Sequence, residues 1–349
     1  MRHGLEAKDG HGPRVTIKDV AREVGVSTGL VSMALNDHPA VAVATKELVR
    51  RAARQLDYVP NSVGQALRAR QLGAIAVVIP HSSHHVFSHP YFVEVLEGVT
   101  AVASAHDLTV VLSTSREEED GEAAYVRLLR RRRADGVIVA AAAIGDLNIP
   151  RLAASGYPLV VLGRDPDPGI SSVVVDDRGG AKDVVTHLLD IHSRRRVAHI
   201  AGPLGHRSAV DKLEGYRAAL EGRGLPYDPD LVAEEDYSEA GGARACEQLL
   251  AAGLGFDGLF AANDQMAFGA LQTLRRHGLE VPRDLALAGF DDIELARVIQ
   301  TPLTTMHQPM AEIGRRATER LIDLLNGRIV DPIQIELPTT LVIRESCGC

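Results

Sequence analysis

Val15-Thr16-Ile17-Lys18-Asp19-Val20-Ala21-Arg22-Glu23-Val24-Gly25-Val26-Ser27-Thr28-Gly29-Leu30-Val31-Ser32-Met33-Ala34-Leu35-Asn36 is the stretch from which the fold is read. Ile17, Val20, Ala21 and Val24 share one helical face, and Leu30, Val31, Ala34 and Leu35 restart the same period. Gly25-Val26-Ser27 interrupts it. Two helices packed across a tight turn need three things: a small residue at the crossing, a Gly able to take positive φ, and an apolar anchor on the second helix. Ala21, Gly25 and Val31 stand at those places. Ser27 is placed to cap the second helix, whose N-terminal part would present Thr28, Gly29, Ser32 and Met33 to base edges. An ordinary helical hairpin is the competing reading of these residues.

Outward from this pair, Asn36-Asp37-His38-Pro39 breaks the period. A third helix is predicted from about Ala44 to Leu56, its apolar side marked by Leu48, Ala52 and Leu56. Tyr58-Val59-Pro60-Asn61 stops it, and Asn61 can cap a short fourth helix reaching Leu67 or Arg68. Residues 1–14, rich in Gly, His and charge, are expected to be a disordered tail; they lack the apolar core of a secretory signal. No apolar run is long enough to span a bilayer, so a cytoplasmic protein without membrane contact is expected.

From Gly73 the texture changes to apolar runs alternating with amphipathic helices. The predicted strands are Ala74–Ile79, Thr109–Ser113, Gly136–Ala140, Leu159–Leu162, Val173–Val175, Val197–Ala201, Gly258–Ala261 and Leu285–Ala288. Helices include Phe92–Ala105, Gly179–Leu189, Lys212–Glu221, Ala240–Leu250 and Gln265–Arg276. Continuous apolar strands separated by helices imply parallel sheets covered on both faces. The expected architecture is therefore an all-α helix-turn-helix head followed by an α/β body of two doubly wound lobes. A ligand would lie in the crevice at the carboxyl ends of the strands.

Charge is divided to match. The whole chain carries −8, but residues 1–70 hold 11 Lys/Arg against 7 Asp/Glu (+4), and residues 71–349 hold 27 against 39 (−12). A basic head on an acidic body is expected where one end alone meets phosphate. Three cysteines, Cys246, Cys347 and Cys349, fit a reducing compartment without a structural disulfide. The Cys-Gly-Cys at 347–349 would need two more ligands to hold a metal, so residues 346–349 are read as a frayed tail. His81, His84, His85 and His89 match no standard metal spacing and are assigned to a loop at the cleft mouth or lobe interface; neither a metal nor a cofactor is expected. Ala201-Gly202-Pro203-Leu204-Gly205 is not a dinucleotide fingerprint, and no nucleophile–base pair stands out. Enzymatic activity is not expected.

The stretch from Val15 to Asn36 resembles the head of the lactose-repressor (LacI/GalR) family. Tyr58-Val59-Pro60-Asn61-Ser62-Val63-Gly64-Gln65-Ala66-Leu67 is similar to that family's hinge helix. Ala262-Asn263-Asp264-Gln265-Met266-Ala267, Gly289-Phe290-Asp291-Asp292, Pro302-Leu303-Thr304-Thr305 and Arg344-Glu345-Ser346 extend the likeness to the end of the body. The likeness implies a transcriptional regulator, a repressor, bound as a homodimer to pseudo-palindromic double-stranded operator DNA and controlled by a small effector between periplasmic-binding-protein-like lobes. A periplasmic-type sugar-binding protein without a regulatory role is the alternative. The implied division is a head at 15–60, hinge helix and linker at 61–72, and a body at 73–345. Within the body, an N-lobe takes 73–175 and 309–337, and a C-lobe takes 176–308 and 338–345.

The implied DNA-contacting set is Thr16, Ile17, Ser27, Thr28, Gly29, Ser32, Met33, Asn36, Thr45, Tyr58, Asn61, Gly64 and Leu67. Leu67 corresponds to the leucine that wedges the central step and kinks the duplex. The implied effector set is Tyr91, Phe92, Asp176, His206, Ser208, Lys212, Tyr237, Asn263 and Asp291. Aromatic faces beside fixed amides and carboxylates suit a sugar-like or nucleoside-like ligand.

Several residues depart from the family pattern. Met33 stands where several relatives carry a guanine-reading arginine, and it lacks a bidentate fork. Ala42 replaces a capping serine at the start of helix three. Gly64 lies mid-hinge, where it weakens helix formation by about 1 kcal/mol relative to alanine. Lys212 replaces an effector-clamping arginine, and Gly163-Arg164 replaces an acidic-Arg pair, so the ligand class is not simply inherited.

Overall fold

The structure, a computed structural model, describes residues 15–58, 72–115, 122–131, 133–164, 169–190, 194–328 and 331–349. The expectations at residues 1–14 and at Asn61, Gly64 and Leu67 lie outside them. The chain forms two compact units, Met1–Leu72 and Gly73–Cys349.

In the first unit, α1 (Ile17–Val24), α2 (Thr28–Leu35) and α3 (Val43–Gln55) pack against one another. Gly25 takes φ 74° at the turn, Ala21 is 6 % exposed at the crossing and Val31 is fully buried. The helix-turn-helix requirements read from Ala21, Gly25 and Val31 are met. Ala42 precedes α3 without a side-chain cap. One expectation fails on α3: Leu48 is 41 % exposed, and Val49, Ala52 and Ala53 form the buried side with Val20, Val31, Ala34 and Val41. Positions 49, 52, 53 and 56 make a 3–4 spaced stripe, and Leu48 falls beside it.

The second unit contains β1 (Ala74–Ser82), α4 (Ser83–Ser88), α5 (Pro90–Ala105), β2 (Thr109–Ser115), α6 (Glu122–Arg131), β3 (Gly136–Ala140), α7 (Asn148–Ala154), β4 (Leu159–Leu162) and β5 (Ser171–Val175). There follow α8 (Asp177–Asp190), β6 (Val197–Ala201), α9 (Arg207–Glu221), β7 (Val232–Glu234), α10 (Glu239–Ala251), β8 (Gly258–Ala261) and α11 (Asp264–Arg276). The last elements are β9 (Ala286–Asp291), α12 (Leu295–Val298), β10 (Thr304–His307), α13 (Met310–Leu325), β11 (Gln334–Leu337), β12 (Thr340–Val342) and a 3-10 turn at Glu345–Cys347.

Two six-stranded sheets result, ordered β11-β5-β4-β3-β1-β2 and β12-β10-β9-β8-β6-β7. The first is parallel throughout, and in the second only β12 pairs antiparallel. Helices α5 and α13 pack together beside the first sheet, as do α8 and α9, and α10 and α11, beside the second. The chain passes between sheets after β5, after β10 and after β11. Continuous burial of β3, β4, β6 and β8 explains their uninterrupted apolar sequences.

The last residues are not a frayed tail. Ser346 and Cys347 are fully buried. Ser346 Oγ accepts from Thr304 N at 2.8 Å and donates to Leu287 O at 2.7 Å, so the turn is pinned to β9 and β10.

Candidate functional site: a DNA-reading head and an interlobe cleft

In the head, Ser27 Oγ accepts from Leu30 N at 3.2 Å, capping α2 as its identity suggests. Thr28, Gly29 and Asn36 are exposed along α2 and its end; Ser32 is half-buried, and half-buried Met33 leans on the helical core. Thr16 is committed to the start of α1: its N–H (2.9 Å) and hydroxyl (2.7 Å) both donate to Asp19 Oδ2. These bonds hold the Asp19 carboxyl below its ordinary pKa. Ile17 and Tyr58 pack against the head's core, and Thr45 is half-buried in the first turn of α3. Asp37 pairs with Arg50 at 2.7 Å and Lys46 at 3.2 Å. That pairing tempers part of the local positive charge, while Arg22, Arg51 and Arg54 remain exposed.

The body gathers its polar groups where the two lobes meet. Asp291 ends β9, and Lys212 lies on α9, only 4 % exposed, with its ammonium 4.2 Å from the centroid of the Phe290 ring. Lys212 is ion-paired to Asp177 on the first turn of α8, their side chains 5 % and 14 % exposed. Burial alone would lower the Lys212 pKa, but Asp177, Tyr237 and Asp291 more than offset it and the ammonium is favoured. Burial raises Asp177 despite Lys212. Asp291 accepts from Gln308 Nε2 and is pushed up to about 7, chiefly by burial, with Lys212 and Gln308 opposing. Burial likewise raises the Tyr91 and Tyr237 phenols. The result is a set of phenol, ammonium and carboxylate groups of opposed charge, facing one another out of bulk water.

Local structure explains several positions. Tyr237 takes φ 65°, and its ring lies over Gly202, where a Cβ would stand 2.1 Å from Tyr237 Cζ. Its hydroxyl is 3.4 Å from Ser208 Oγ. Asn263 caps α11 through Met266 N (2.9 Å) and donates to Tyr237 O (2.9 Å), fixing the aromatic residue from behind. Asp176 accepts from Gly179 N at 2.8 Å and so caps the start of α8. Phe92 is 6 % exposed and packs edge-on to Tyr91, placing it in the wall. Asp291 binds Gln308, and Asp292 binds Arg344 and His307.

Two groups at this place were not singled out from sequence. Asp177 stands next to Asp176, and nothing in the primary sequence tells which carboxylate faces Lys212. Gln308 follows β10, whose Thr-rich sequence hides a strand. The histidines sort themselves by position. His81 stacks on His85 at 4.6 Å, His89 lies tilted against His85 at 4.1 Å, His206 from the opposite lobe lies 5.7 Å from His81, and His84 is exposed. Burial and neighbouring histidines push His81 and His85 down to about 4. Ile144 N donates to Gly205 O at 2.7 Å and Gln265 Nε2 to Ser88 O at 3.2 Å across the same seam.

A helix-turn-helix unit in series with a two-sheet body whose polar groups converge between the sheets defines a ligand-responsive DNA-binding transcriptional regulator. Residues 16–61 match the lacI family of bacterial regulatory proteins, and residues 185–347 match the periplasmic binding protein-like domain. The chain is 34 % identical over 338 residues to the HTH-type transcriptional regulator CelR of Thermobifida fusca, covering 95 % of this chain and 98 % of that protein. A structure of a transcriptional regulator CelR–cellobiose complex superposes with a TM-score of 0.74 at 33 % identity, over 95 % of this chain and 100 % of that one. A lac repressor dimer bound to operator and the anti-inducer ONPF gives a TM-score of 0.85 at 29 % identity, over 96 % and 99 % of the two chains. The chain belongs to the lacI family of bacterial regulatory proteins. No described helix is long and apolar enough to cross a membrane.

Proposed function

We propose that the protein is a homodimeric repressor, acting in the cytoplasm, that binds a pseudo-palindromic operator and is released or recruited by a sugar or sugar derivative held between its lobes. It acts by binding, without catalysing a reaction. The observation that carries the sugar reading is the convergence of Tyr91, Asp177, Lys212, Tyr237 and Asp291 at one place between the sheets. Hydroxyl groups of a sugar can accept from an ammonium and donate to carboxylates, while its apolar ring face stacks on an aromatic. The likeness to a structure of a CelR–cellobiose complex supports that class.

Lys212 and Asp177 satisfy each other at the first turn of α8. A ligand that inserts its hydroxyls among them must favour one lobe arrangement over the other, since equal affinity for both shifts nothing. The head uses Thr28, Gly29, Ser32, Met33 and Asn36 for bases and its exposed arginines for phosphate; Leu67 wedges the centre. Because Met33 offers only apolar contact, the operator half-site carries a thymine methyl where an arginine would select guanine.

Selection of bound duplexes from random DNA at fixed salt tests the first half. A two-fold-symmetric site is expected, and non-selective attraction abolished by salt overturns it. Titration of that complex with cellobiose, ribose and other sugars tests the second half: one class shifts operator affinity, and the shift disappears in Lys212→Met. If no sugar changes operator affinity or the protein's melting temperature, the effector reading fails.

A further inference from the structure

We infer that His187, Cys347 and Cys349 form a three-ligand site for one borderline-to-soft transition-metal ion of the zinc class, beside the C-terminal end of α8. Nε2 of His187 lies 3.4 Å from Cys347 Sγ and 3.8 Å from Cys349 Sγ. The three ligand atoms all lie within 4.8 Å of one another. Zinc–sulfur bonds of about 2.3 Å and zinc–nitrogen bonds of about 2.0–2.1 Å, set at tetrahedral angles, put sulfur and nitrogen about 3.6 Å apart and two sulfurs about 3.8 Å apart. The two nitrogen–sulfur edges already stand close to the first value, and the sulfur–sulfur edge lies within 4.8 Å.

The site is held by the fold. His187 sits near the end of α8, only 7 % exposed, and Cys347 is fully buried at the end of the 3-10 turn. That turn is fixed by Ser346 on Leu287 and Thr304, and by Arg344, which donates to Leu303 O at 2.8 Å and to Asp292. Cys347 Sγ also contacts Arg344 O at 3.3 Å. Gly348 takes φ 108°, a left-handed conformation that turns the chain so that exposed Cys349 comes back to the same imidazole. A side chain at 348 would resist that conformation. Two thiols one residue apart therefore face a histidine 160 positions away in sequence.

Two thiolates and a neutral imidazole suit Zn2+ or Cu+ and disfavour Mg2+ or Ca2+, which prefer oxygen. Binding releases the two thiol protons to solvent, and the fourth tetrahedral position stays open for water or an external donor. An occupied site would clamp the 3-10 turn onto α8, the helix whose first turn places Asp177 in the cleft.

The test uses the full-length protein, reduced and stripped of metal with a chelator, then titrated with Co2+ and back-titrated with Zn2+. One equivalent per chain is expected, with a thiolate-to-cobalt absorption band and visible bands of a tetrahedral site, both erased by Zn2+. Cys349→Ser, at an exposed position, should abolish the thiolate bands and the metal-dependent rise in melting temperature while leaving circular dichroism unchanged. His187→Gln should weaken binding at least tenfold. Cys246→Ser, at a buried thiol elsewhere in the body, should keep the one-equivalent signal. No thiolate band in the reduced protein, or an equal band in Cys349→Ser, overturns the inference.

Discussion

Replacing Lys212 with methionine keeps length and apolar stem but removes the ammonium that Asp177 faces. The pair is almost wholly buried, so Asp177 would be left charged without a partner. Removing one member of a buried pair costs about 3–5 kcal/mol, far more than the pair itself contributes relative to an apolar substitute. At roughly 2–4 °C of melting temperature per kcal/mol for a body of this size, the loss is about 6–20 °C at pH 7.5. Scanning calorimetry of the wild type, Lys212→Met and the double variant Lys212→Met/Asp177→Leu measures it.

The double variant should recover most of the loss, because the stranded charge is gone. Acidification should also narrow the gap in the single variant: burial already raises Asp177, so its carboxyl takes up a proton more readily in the fold than in the unfolded chain. That contribution is complete below the ordinary carboxylate pKa and is lost as pH rises through the elevated one. A loss under about 1 kcal/mol at pH 7.5, or a double variant as damaged as the single one, would refute a buried, mutually dependent pair.

Asp291→Asn keeps an acceptor for Gln308 but removes an ionisation pushed up to about 7. Urea denaturation should show the variant gaining on the wild type as pH rises from about 4, the unfolded carboxylate value, to about 7; a constant difference would show that Asp291 ionises normally. Gly98→Ala puts a Cβ 1.9 Å from Ala311 O, and Gly314→Ala puts one 2.1 Å from Val95 O, so α5 and α13 must separate. Each should cost about 1–3 kcal/mol in denaturation experiments, and a neutral result would mean the helices pass further apart. Ser27→Ala removes the cap on Leu30 N and should speed amide exchange across α2 about 2–30-fold, corresponding to about 0.5–2 kcal/mol.

The parts of this fold that were legible are those where one physical requirement acts alone. Ala21, Gly25 and Val31 satisfy a steric rule, and β3, β4, β6 and β8 are buried on both faces, so apolar runs marked their limits. β10 was not legible, because its core is polar yet satisfied: Thr304 Oγ1 donates to Arg344 O at 2.9 Å and Thr305 Oγ1 to Asp264 Oδ1 at 2.5 Å. Hydroxyls paired with partners 40 or more residues away look like a loop in sequence. The cleft was legible in its residue types but not in the division of labour. Asp176 caps the start of α8 while its neighbour Asp177 opens the first turn and meets Lys212, a division that two adjacent carboxylates do not show in sequence, and Asn263 supports Tyr237 through a carbonyl that sequence cannot locate. His187 carries no local signature of any kind; only closure of the fold brings it to Cys347 and Cys349.

The three passages between the sheets have a consequence for biosynthesis. Neither sheet is complete until its last strand is made: β11 joins β5 about 160 residues after it in sequence, and β12 seals the other edge later still. A nascent chain leaving the ribosome thus exposes the open flank of β5, and the face later covered by α13, throughout translation of the entire second lobe. Unpaired edges of this kind recruit other strands, and a message truncated between His307 and Gln334 yields two unfinished sheets at once.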